Sequence, residues 1–328
     1  MTKYLKINAA QPEPSIIKLA AQYIKAGELV AFPTETVYGL GADAFQPEAV
    51  NKIFLAKGRP PENALLVHVS NLEQVQKIAA EVPSTARKLI ARFWPGPLSI
   101  ILPSLPSVPA IIRGGQAGVG LRMPSHPVAL AFIEEAGPLA APSANLYGRP
   151  SPTNAGHVRQ DLDGRIAAVL DAGDTGVGLE STLIDLSPGK CRLLRQGAIS
   201  IELIEECLGQ KIELVAGTES RPGYKTKVKV ILSASEADFE AQIAKNHSRG
   251  TSLGVVGINN HSGYKIENVK PYFNLDLSGA GFNLYAIIRE AEANGVETLL
   301  FAPIDSEQAG AALMERLRRA ASNGDSEE

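Results

Sequence analysis

The sequence has 328 residues, of which 45% are hydrophobic and 20% charged. These proportions are those of an ordinary globular protein and exclude a low-complexity or disordered chain. The net charge is −3, from 32 Lys and Arg against 35 Asp and Glu, which excludes a basic coat for nucleic acid along the whole chain. At about 150 residues per domain, the length indicates two domains.

The two cysteines, Cys191 and Cys207, form no CxxC pair. The sequence therefore indicates neither a zinc knuckle nor a disulfide scaffold. The first ten residues lack the apolar core of a signal peptide, and no run of 18 apolar residues is free of proline or charge. We expect no secretion signal and no membrane span, and we place the protein in the cytoplasm by default.

The hydrophobic pattern predicts alternating short strands and helices up to about residue 209. Helices are predicted over 14–26, 47–56, 71–80, 84–93, 127–136, 154–162 and 200–208. Strands are predicted over 29–32, 65–69, 98–102, 118–122, 139–141, 167–170, 182–186 and 192–194. Residues 33–41 are predicted to form a loop punctuated by proline and glycine. This alternation favours an α/β or α+β domain.

A second alternation of strands and helices follows a segment without periodicity. Strands are predicted over 228–232, 253–256 and 298–301, and helices over 236–245, 284–293 and 307–321. This pattern is typical of a small βαβ-type domain. We therefore predict a first domain over 1–210, a linker over 211–229, a small α/β domain over 230–321 and a polar tail over 322–328.

Common signatures of nucleotide and hydrolase sites are missing: the sequence contains no GxxxxGK[ST], no GxGxxG after a strand, no GxSxG and no HExxH. Four polar loops of the first domain stand out instead. The first places Thr34, Glu35 and Thr36 directly after a strand, where α/β sheets usually bind ligands. A turn in which the Thr hydroxyls bind local backbone would explain the same residues.

The second loop carries Lys57 and Arg59 just past a predicted helix, on either side of Gly58. Two cations on one side of a turn suit a polyanion such as a triphosphate, although they would also complement the helix dipole. Asn63 follows in the same loop. His68 lies in an apolar strand, where a histidine is more often part of the core than a ligand.

The third loop follows the predicted strand 139–141 and offers Ser143, Asn145 and Ser151. Their neutral donors could hold phosphate oxygens or a ribose, or the segment could simply lead into a helix. The fourth loop joins Ser181 to Arg195 at a strand end. Arg113 and Arg122 add further cations, and each of them alone could be an ordinary surface charge.

Together these loops resemble the YrdC-domain family of L-threonylcarbamoyl-adenylate synthases in its long two-domain form. The motifs that carry the resemblance are PTETVYGLGA (33–42), IFLAKGRP (53–60), LLVHV (65–69), FWPGPLSIIL (93–102), VGLRMPSHPVA (119–129), LAAPSANLYGRPSPT (139–153), GLESTLIDL (178–186) and LLRQGAI (193–199). They cover nearly all of 12–210 in the right order. The resemblance implies a twisted mixed open sheet with flanking helices and a small C-terminal βαβ Rossmann-like domain.

The resemblance implies an enzyme that makes threonylcarbamoyl-AMP and pyrophosphate from L-threonine, bicarbonate or CO2, and ATP. Mg²⁺ would accompany ATP, with no metal bound by the protein alone. The product would pass to a separate tRNA threonylcarbamoyl transferase complex, with at most a weak contact to tRNA and none to a membrane.

The resemblance also assigns site residues by motif position. Lys57 and Arg59 match the family's KxR, and Ser143 and Asn145 match its SxN; both motifs belong to the nucleotide site. The residues expected at ATP are Lys57, Arg59, Asn63, Gly118, Ser143, Asn145, Ser151 and Arg195, with Lys57 and Arg59 as catalytic residues. The residues expected at threonine are Thr34, Thr36, His68, Arg122, Ala141 and Ser181.

The linker departs from the family pattern. Family members read like PGMKYRHYAP there, whereas here Pro222-Gly223-Tyr224-Lys225 continues without the His-Tyr-Ala-Pro. Tyr224 or Lys225 could replace that motif. The altered linker leaves open a homologue that binds its substrates but does not turn over. Two further alternatives also stay open: a carbamoyltransferase that uses carbamoyl phosphate, and an RNA-binding module.

Overall fold

The computed structural model describes residues 1–215, 222–259, 271–277 and 282–322. Parts of the predicted linker (216–221) and tail (323–328) lie outside the described residues. The chain divides into two compact units. The first comprises Met1–Tyr147, Ser151–Thr175 and Glu180–Ala216, and the second comprises Gly148–Pro150, Gly176–Leu179 and Gly217–Glu328.

The first unit contains a sheet with flanking helices. Its strands are β1 (Lys3–Lys6), β2 (Val30–Phe32), β3 (Gly39–Asp43), β4 (Leu66–His68), β5 (Leu98–Pro103), β6 (Gly118–Arg122), β7 (Leu139–Ala140), β8 (Ala168–Asp171), β9 (Thr182–Asp185), β10 (Arg192–Arg195) and β11 (Glu213–Leu214). Its helices are α1 (Pro14–Lys25), α2 (Pro47–Lys57), α3 (Leu72–Gln76), α4 (Ser84–Phe93), α5 (Ala110–Arg113), α6 (Pro127–Ala136), α7 (Ala155–Leu162) and α8 (Ile201–Leu208).

These strands form one mixed sheet in the order β1-β8-β2-β3-β7-β4-β6-β5-β9-β10-β11. Both faces of its centre are buried. Ala31 of β2 belongs to one hydrophobic cluster, whereas Val30 and Phe32 belong to another, together with residues of α1 and α6. A continuous apolar strand of this kind is expected where helices cover both faces. The predicted fold class, a mixed sheet with flanking helices, is confirmed.

The predicted loop over 33–41 is wrong at its end, because β3 begins at Gly39. Its sequence, GLGAD, contains none of the β-branched or aromatic residues that favour strands. The glycines are required by close packing: a Cβ atom on Gly39 or Gly41 would lie 3.1 Å from the Phe32 ring. The strand therefore depends on a tertiary contact that the local sequence does not reveal.

The second unit contains a parallel sheet in the order β12-β15-β13-β14. Its elements are β12 (Lys229–Leu232), α9 (Glu236–Ser248), β13 (Leu253–Ile258), β14 (Tyr272–Leu275), α10 (Leu284–Ala293), β15 (Thr298–Phe301) and α11 (Ser306–Ala321). The parallel pairing agrees with the predicted βαβ-type domain. Of the helices in the described ranges, none has both the length and the hydropathy needed to cross a bilayer.

Candidate active site

The strand directions of the first unit bring polar residues to one edge of the sheet. Strands β4 and β6 are parallel and end opposite each other at His68 and Arg122. Strand β5 is antiparallel to β6 and parallel to β9, and β10 is antiparallel to β9. The carboxyl ends of β4, β6 and β10 therefore lie at the same edge as the amino ends of β5 and β9.

Helix α2 ends at Lys57, which places this side chain beside the third polar loop. Gly58 adopts the left-handed conformation (φ 60°), and the Arg59 N–H turns back to the Phe54 carbonyl, which stops the helix. Lys57 is only 2% exposed. Its Nζ donates to the carbonyl oxygens of Ser143 and Asn145, both at 2.5 Å. The KxR and SxN motifs are therefore in direct contact.

The turn after α2 is held by backbone and aromatic contacts. Arg59 donates through Nε to the Asn63 carbonyl (3.2 Å) and through Nη2 to the Ala64 carbonyl (3.0 Å). Its guanidinium lies 5.9 Å from the centre of the Tyr147 ring, and the Tyr147 hydroxyl accepts from Asn63 Nδ2 at 3.3 Å. Tyr147, which is not one of the residues predicted from the sequence, therefore orders the predicted nucleotide loop.

Tyr38 joins the first and third polar loops through its backbone. Its N–H donates to the Pro152 carbonyl, and its carbonyl accepts from Ala144 N, both at 2.8 Å. Ser151, next to Pro152, donates through Oγ to Glu180 Oε1 at 2.7 Å. Three loops that are far apart in the sequence thus converge.

Arg195 holds the fourth loop. Its Nε donates to the Ser181 carbonyl at 2.8 Å, and its Nη2 donates to Ser181 Oγ at 2.9 Å. Ser181 Oγ also lies 2.7 Å from Ser99 Oγ, and both serines are buried. Neither Ser99 nor Glu180 was selected from the sequence, because each contacts the site from a strand or loop whose neighbours only the fold defines.

The Thr34 hydroxyl organises its own loop. It donates to the Val37 carbonyl at 2.7 Å and accepts from the N–H groups of Thr36 and Val37. Because the Thr34 proton is used in this way, Thr36 Oγ1, 2.8 Å away, is the donor between the two hydroxyls. The turn that the sequence offered as an alternative is therefore present at Thr34.

Arg122 is 4% exposed and lies among other buried polar and charged groups. Its Nη2 lies 2.8 Å from Glu35 Oε1, as an ion pair rather than an aligned hydrogen bond. Burial, followed by the charges of Arg122 and Arg195, holds the pKa of His68 well below its usual range. Glu35 Oε2 and His68 Nδ1 have no hydrogen-bond partner among the residues that the structure describes. Such buried polar atoms indicate a place that a ligand or water completes.

Two predicted residues have mainly structural surroundings. Ala141 is buried, and its N–H donates to the Leu66 carbonyl at 2.8 Å. Gly118 begins β6, roughly 13 Å along the strand from Arg122, so the structure does not bring these two residues together. A Cβ atom on Gly118 would lie 2.7 Å from Ile101 Cγ2, which explains the glycine by packing.

No three His, Cys, Asp or Glu side chains in the described ranges form a group that could hold a metal ion. The charged groups that face the converging loops are instead mainly cations, with Glu35 and Glu180 as carboxylates. Such a set is suited to anionic substrates.

Two family models match the sequence. One, described as telomere recombination (the Sua5, YciO and YrdC family), matches residues 22–197. The other, described as the C-terminal domain of threonylcarbamoyl-AMP synthase, matches residues 199–322.

Curated relatives match along almost the whole chain. The threonylcarbamoyl-AMP synthase of Pyrococcus abyssi is 40% identical over 321 residues, covering 93% of each chain. That of Bacillus subtilis is 40% identical over 327 residues, covering 94% of this chain and 93% of the relative. A solved structure of P. abyssi Sua5 complexed with L-threonine is 38% identical, covers 98% of each chain and has a TM-score of 0.90. With the motifs in contact as described, these matches lead to one conclusion: the chain belongs to the threonylcarbamoyl-AMP synthase family.

Proposed function

We propose that this chain forms threonylcarbamoyl-AMP and pyrophosphate from L-threonine, bicarbonate or CO2, and ATP. The observation that carries the proposal is the direct contact of Lys57 Nζ with the carbonyls of Ser143 and Asn145. This contact joins the family's two nucleotide motifs in one place. Family membership and the threonine-bound relative support the same reaction.

The nucleotide would occupy the space among the loops that carry Lys57, Arg59, Asn63, Ser143, Asn145, Ser151 and Arg195. Gly118 keeps its assignment through the resemblance to the family alone. Mg²⁺ would arrive on the phosphates, since this ion usually binds proteins through a few carboxylates plus substrate phosphate rather than a full protein cage.

Threonine would occupy the edge formed by His68, Arg122 and Ser181, with the loop of Thr34 and Thr36 and the backbone at Ala141 beside it. The guanidinium of Arg122 suits the threonine carboxylate. His68 is neutral at pH 7, because its pKa is lowered by burial and by two guanidinium groups. It can therefore serve as a hydrogen-bonding group without adding charge.

In the proposed reaction, the threonine ammonium loses a proton, and the resulting amine adds to CO2 with loss of a second proton to give a carbamate. A carbamate oxygen then forms a bond to the α-phosphorus, and the bond to the departing pyrophosphate breaks. Two anions must approach each other in this step. The cations Lys57, Arg59 and Arg195 would lower that barrier by neutralising charge at fixed positions.

The test is an assay of pyrophosphate release with ATP, bicarbonate and each amino acid in turn. We expect release to require threonine. Substrate binding without release would instead identify a non-catalytic homologue, and phosphate release from carbamoyl phosphate would identify a carbamoyltransferase.

We further propose that residues 1–210 carry this chemistry and that the product passes to a tRNA threonylcarbamoyl transferase complex. ATP and tRNA are both found in the cytoplasm, so we place the reaction there. A steep salt dependence of RNA affinity would reveal a direct contact with tRNA.

A further inference from the structure

Glu35 has a buried carboxylate group to which the proposed reaction assigns no role. It lies between Thr34 and Thr36 in the loop after β2, and its side chain is 14% exposed. One oxygen, Oε1, is paired with Arg122 at 2.8 Å. The other, Oε2, is buried and has no hydrogen-bond partner in the described part of the chain. A buried carboxylate oxygen normally has a donor, so a donor from a ligand is expected here.

An α-amino acid carries a cation next to its carboxylate. If the threonine carboxylate binds Arg122, its ammonium lies one carbon further along, within reach of a carboxylate that is itself paired with Arg122. We propose that Glu35 binds the α-ammonium of threonine through Oε2. This inference rests on the proposed function and adds a substrate-binding residue that selects for α-amino acids.

His68, near Arg122, is another buried group with a polar atom, Nδ1, that has no hydrogen-bond partner in the described residues. The pKa of His68 is lowered first by burial and then by the positive charges of Arg122 and Arg195. A substrate cation would be repelled there and attracted by Glu35, the carboxylate that is paired with Arg122. The pairing of the Glu35 carboxylate with the Arg122 guanidinium thus matches a zwitterion, with its carboxylate on Arg122 and its ammonium on Glu35.

A different role for Glu35 would be to neutralise Arg122 until a substrate carboxylate displaces it. The two roles predict opposite effects of Glu35→Gln. If Glu35 only competes for Arg122, its neutralisation should strengthen the binding of every carboxylate ligand. If Glu35 binds the ammonium, its neutralisation should weaken only ligands that carry an amine.

The experiment compares L-threonine with (R)-3-hydroxybutyrate, which has the same carboxylate and hydroxyl but no amine. Affinities are measured by calorimetry for the full chain and for Glu35→Gln. Hydrogen bonds to charged groups contribute enough that we expect threonine to bind about 10- to 100-fold more weakly to the variant. The affinity for (R)-3-hydroxybutyrate should change by less than about 3-fold.

Glu28→Gln is the matched control, because Glu28 pairs with Lys52 at the surface; it should alter neither affinity. Arg122→Ala should weaken both ligands, because they share the carboxylate. If Glu35→Gln does not fold, Glu35→Asp keeps the charge with a shorter reach, and it should weaken threonine more than (R)-3-hydroxybutyrate.

Equal changes for the two ligands, or tighter binding of both, would overturn the role of Glu35. Equal affinity of the unaltered chain for both ligands would also overturn it. Failure of the proposed function is a separate result, in which the unaltered chain neither binds threonine nor releases pyrophosphate in its presence. A chain that does both, with threonine affinity unchanged in Glu35→Gln, would refute only the role of Glu35.

Discussion

Lys57 holds its ammonium against two backbone carbonyl oxygens at the base of the SxN loop. The side chain therefore fixes the position of that loop and brings a positive charge to it. Loss of one well-placed electrostatic donor commonly lowers kcat by about 10²–10³. The Ser143 carbonyl also accepts from the Asn145 N–H, so loss of the ammonium removes one of its two donors. Loss of a buried hydrogen bond lowers stability by about 1 kcal/mol, and by about 1–3 kcal/mol where it leaves a buried group unsatisfied.

We therefore expect Lys57→Ala to lower threonine-dependent pyrophosphate release by about 10²–10³ and to lower the free energy of unfolding. Lys52→Ala is the control on the same helix, because Lys52 is in an exposed ion pair with Glu28, and such pairs contribute about 0–1 kcal/mol. Near-normal turnover in Lys57→Ala would contradict the assignment.

His68 gives a prediction about pH. Its pKa in the folded chain is lowered, first by burial and then by Arg122 and Arg195. Below about pH 6.5 the unfolded chain therefore binds a proton that the folded chain does not. The stability present above about pH 6.5 should fall as the pH is lowered, by up to about 1.4 kcal/mol per pH unit from this residue.

The measurement is the free energy of unfolding by denaturant at pH 7 and pH 5, for the unaltered chain and for His68→Gln. The variant should lose less stability over this interval, whatever its stability at pH 7. Parallel curves for the two chains would show that His68 is not held neutral.

At the scale of single elements, the end of α2 positions the side chains of the KxR motif. Gly58 has a φ of 60°, and a Cβ atom there would meet nothing within 4 Å. Substitution by alanine therefore introduces backbone strain of about 1–2 kcal/mol without a clash.

Gly209 ends α8 in the same way, with a φ of 69° and open space around a Cβ atom. We expect Gly58→Ala and Gly209→Ala to lose similar stability in denaturant unfolding, about 1 kcal/mol or somewhat more. Only Gly58→Ala should also raise the KM for ATP, because only that turn carries Arg59. A similar KM in both variants would separate the turn from the nucleotide site.

The sequence predicted elements well where the local pattern alone decides them. Helices α6 and α10 and strands β6 and β15 begin and end where their hydrophobic pattern places them. Strands β1 and β3 were missed for opposite reasons. The first is the half-exposed sequence KYLK, and the second is rich in glycine and depends on the Phe32 ring. In both, pairing with distant strands decides the structure.

The same limit applies to the site. Motif spacing identified Lys57, Ser143 and Arg195, which lie where the loops converge. It did not select Ser99 or assign a role to Glu35. Both depend on partners far along the chain, Ser181 and Arg122, and only the sheet order makes them neighbours.

At the scale of the whole molecule, Tyr224 of the predicted linker belongs to the second unit. Tyr224 is 2% exposed, its hydroxyl lies 2.9 Å from that of Tyr285, and the Arg319 guanidinium lies 4.1 Å from its ring centre. Tyr224 is thus a core residue of this unit. That position does not support the alternative in which it replaces the missing His-Tyr-Ala-Pro motif at the nucleotide.

We expect Tyr224→Ala to destabilise the second unit by about 3–5 kcal/mol, as truncation of a large buried aromatic does. Tyr224→Phe, which keeps the ring, should cost only about 1 kcal/mol for the lost hydrogen bond. Scanning calorimetry of the full chain measures both. Similar melting of the two variants would mean that the ring does not contribute to the core.

The second unit is assembled from three separate pieces of the chain, two of them only a few residues long. Within it, Arg149 pairs with Glu292, Arg289 donates to the Pro150 carbonyl at 2.5 Å, and Phe282 N–H donates to the Val177 carbonyl at 2.8 Å. A gene shortened after codon 210 would still encode Gly148–Pro150 and Gly176–Leu179 but would delete every one of these partners. The shorter product would therefore contain both segments without these contacts. No single truncation point can separate the two units along their boundary.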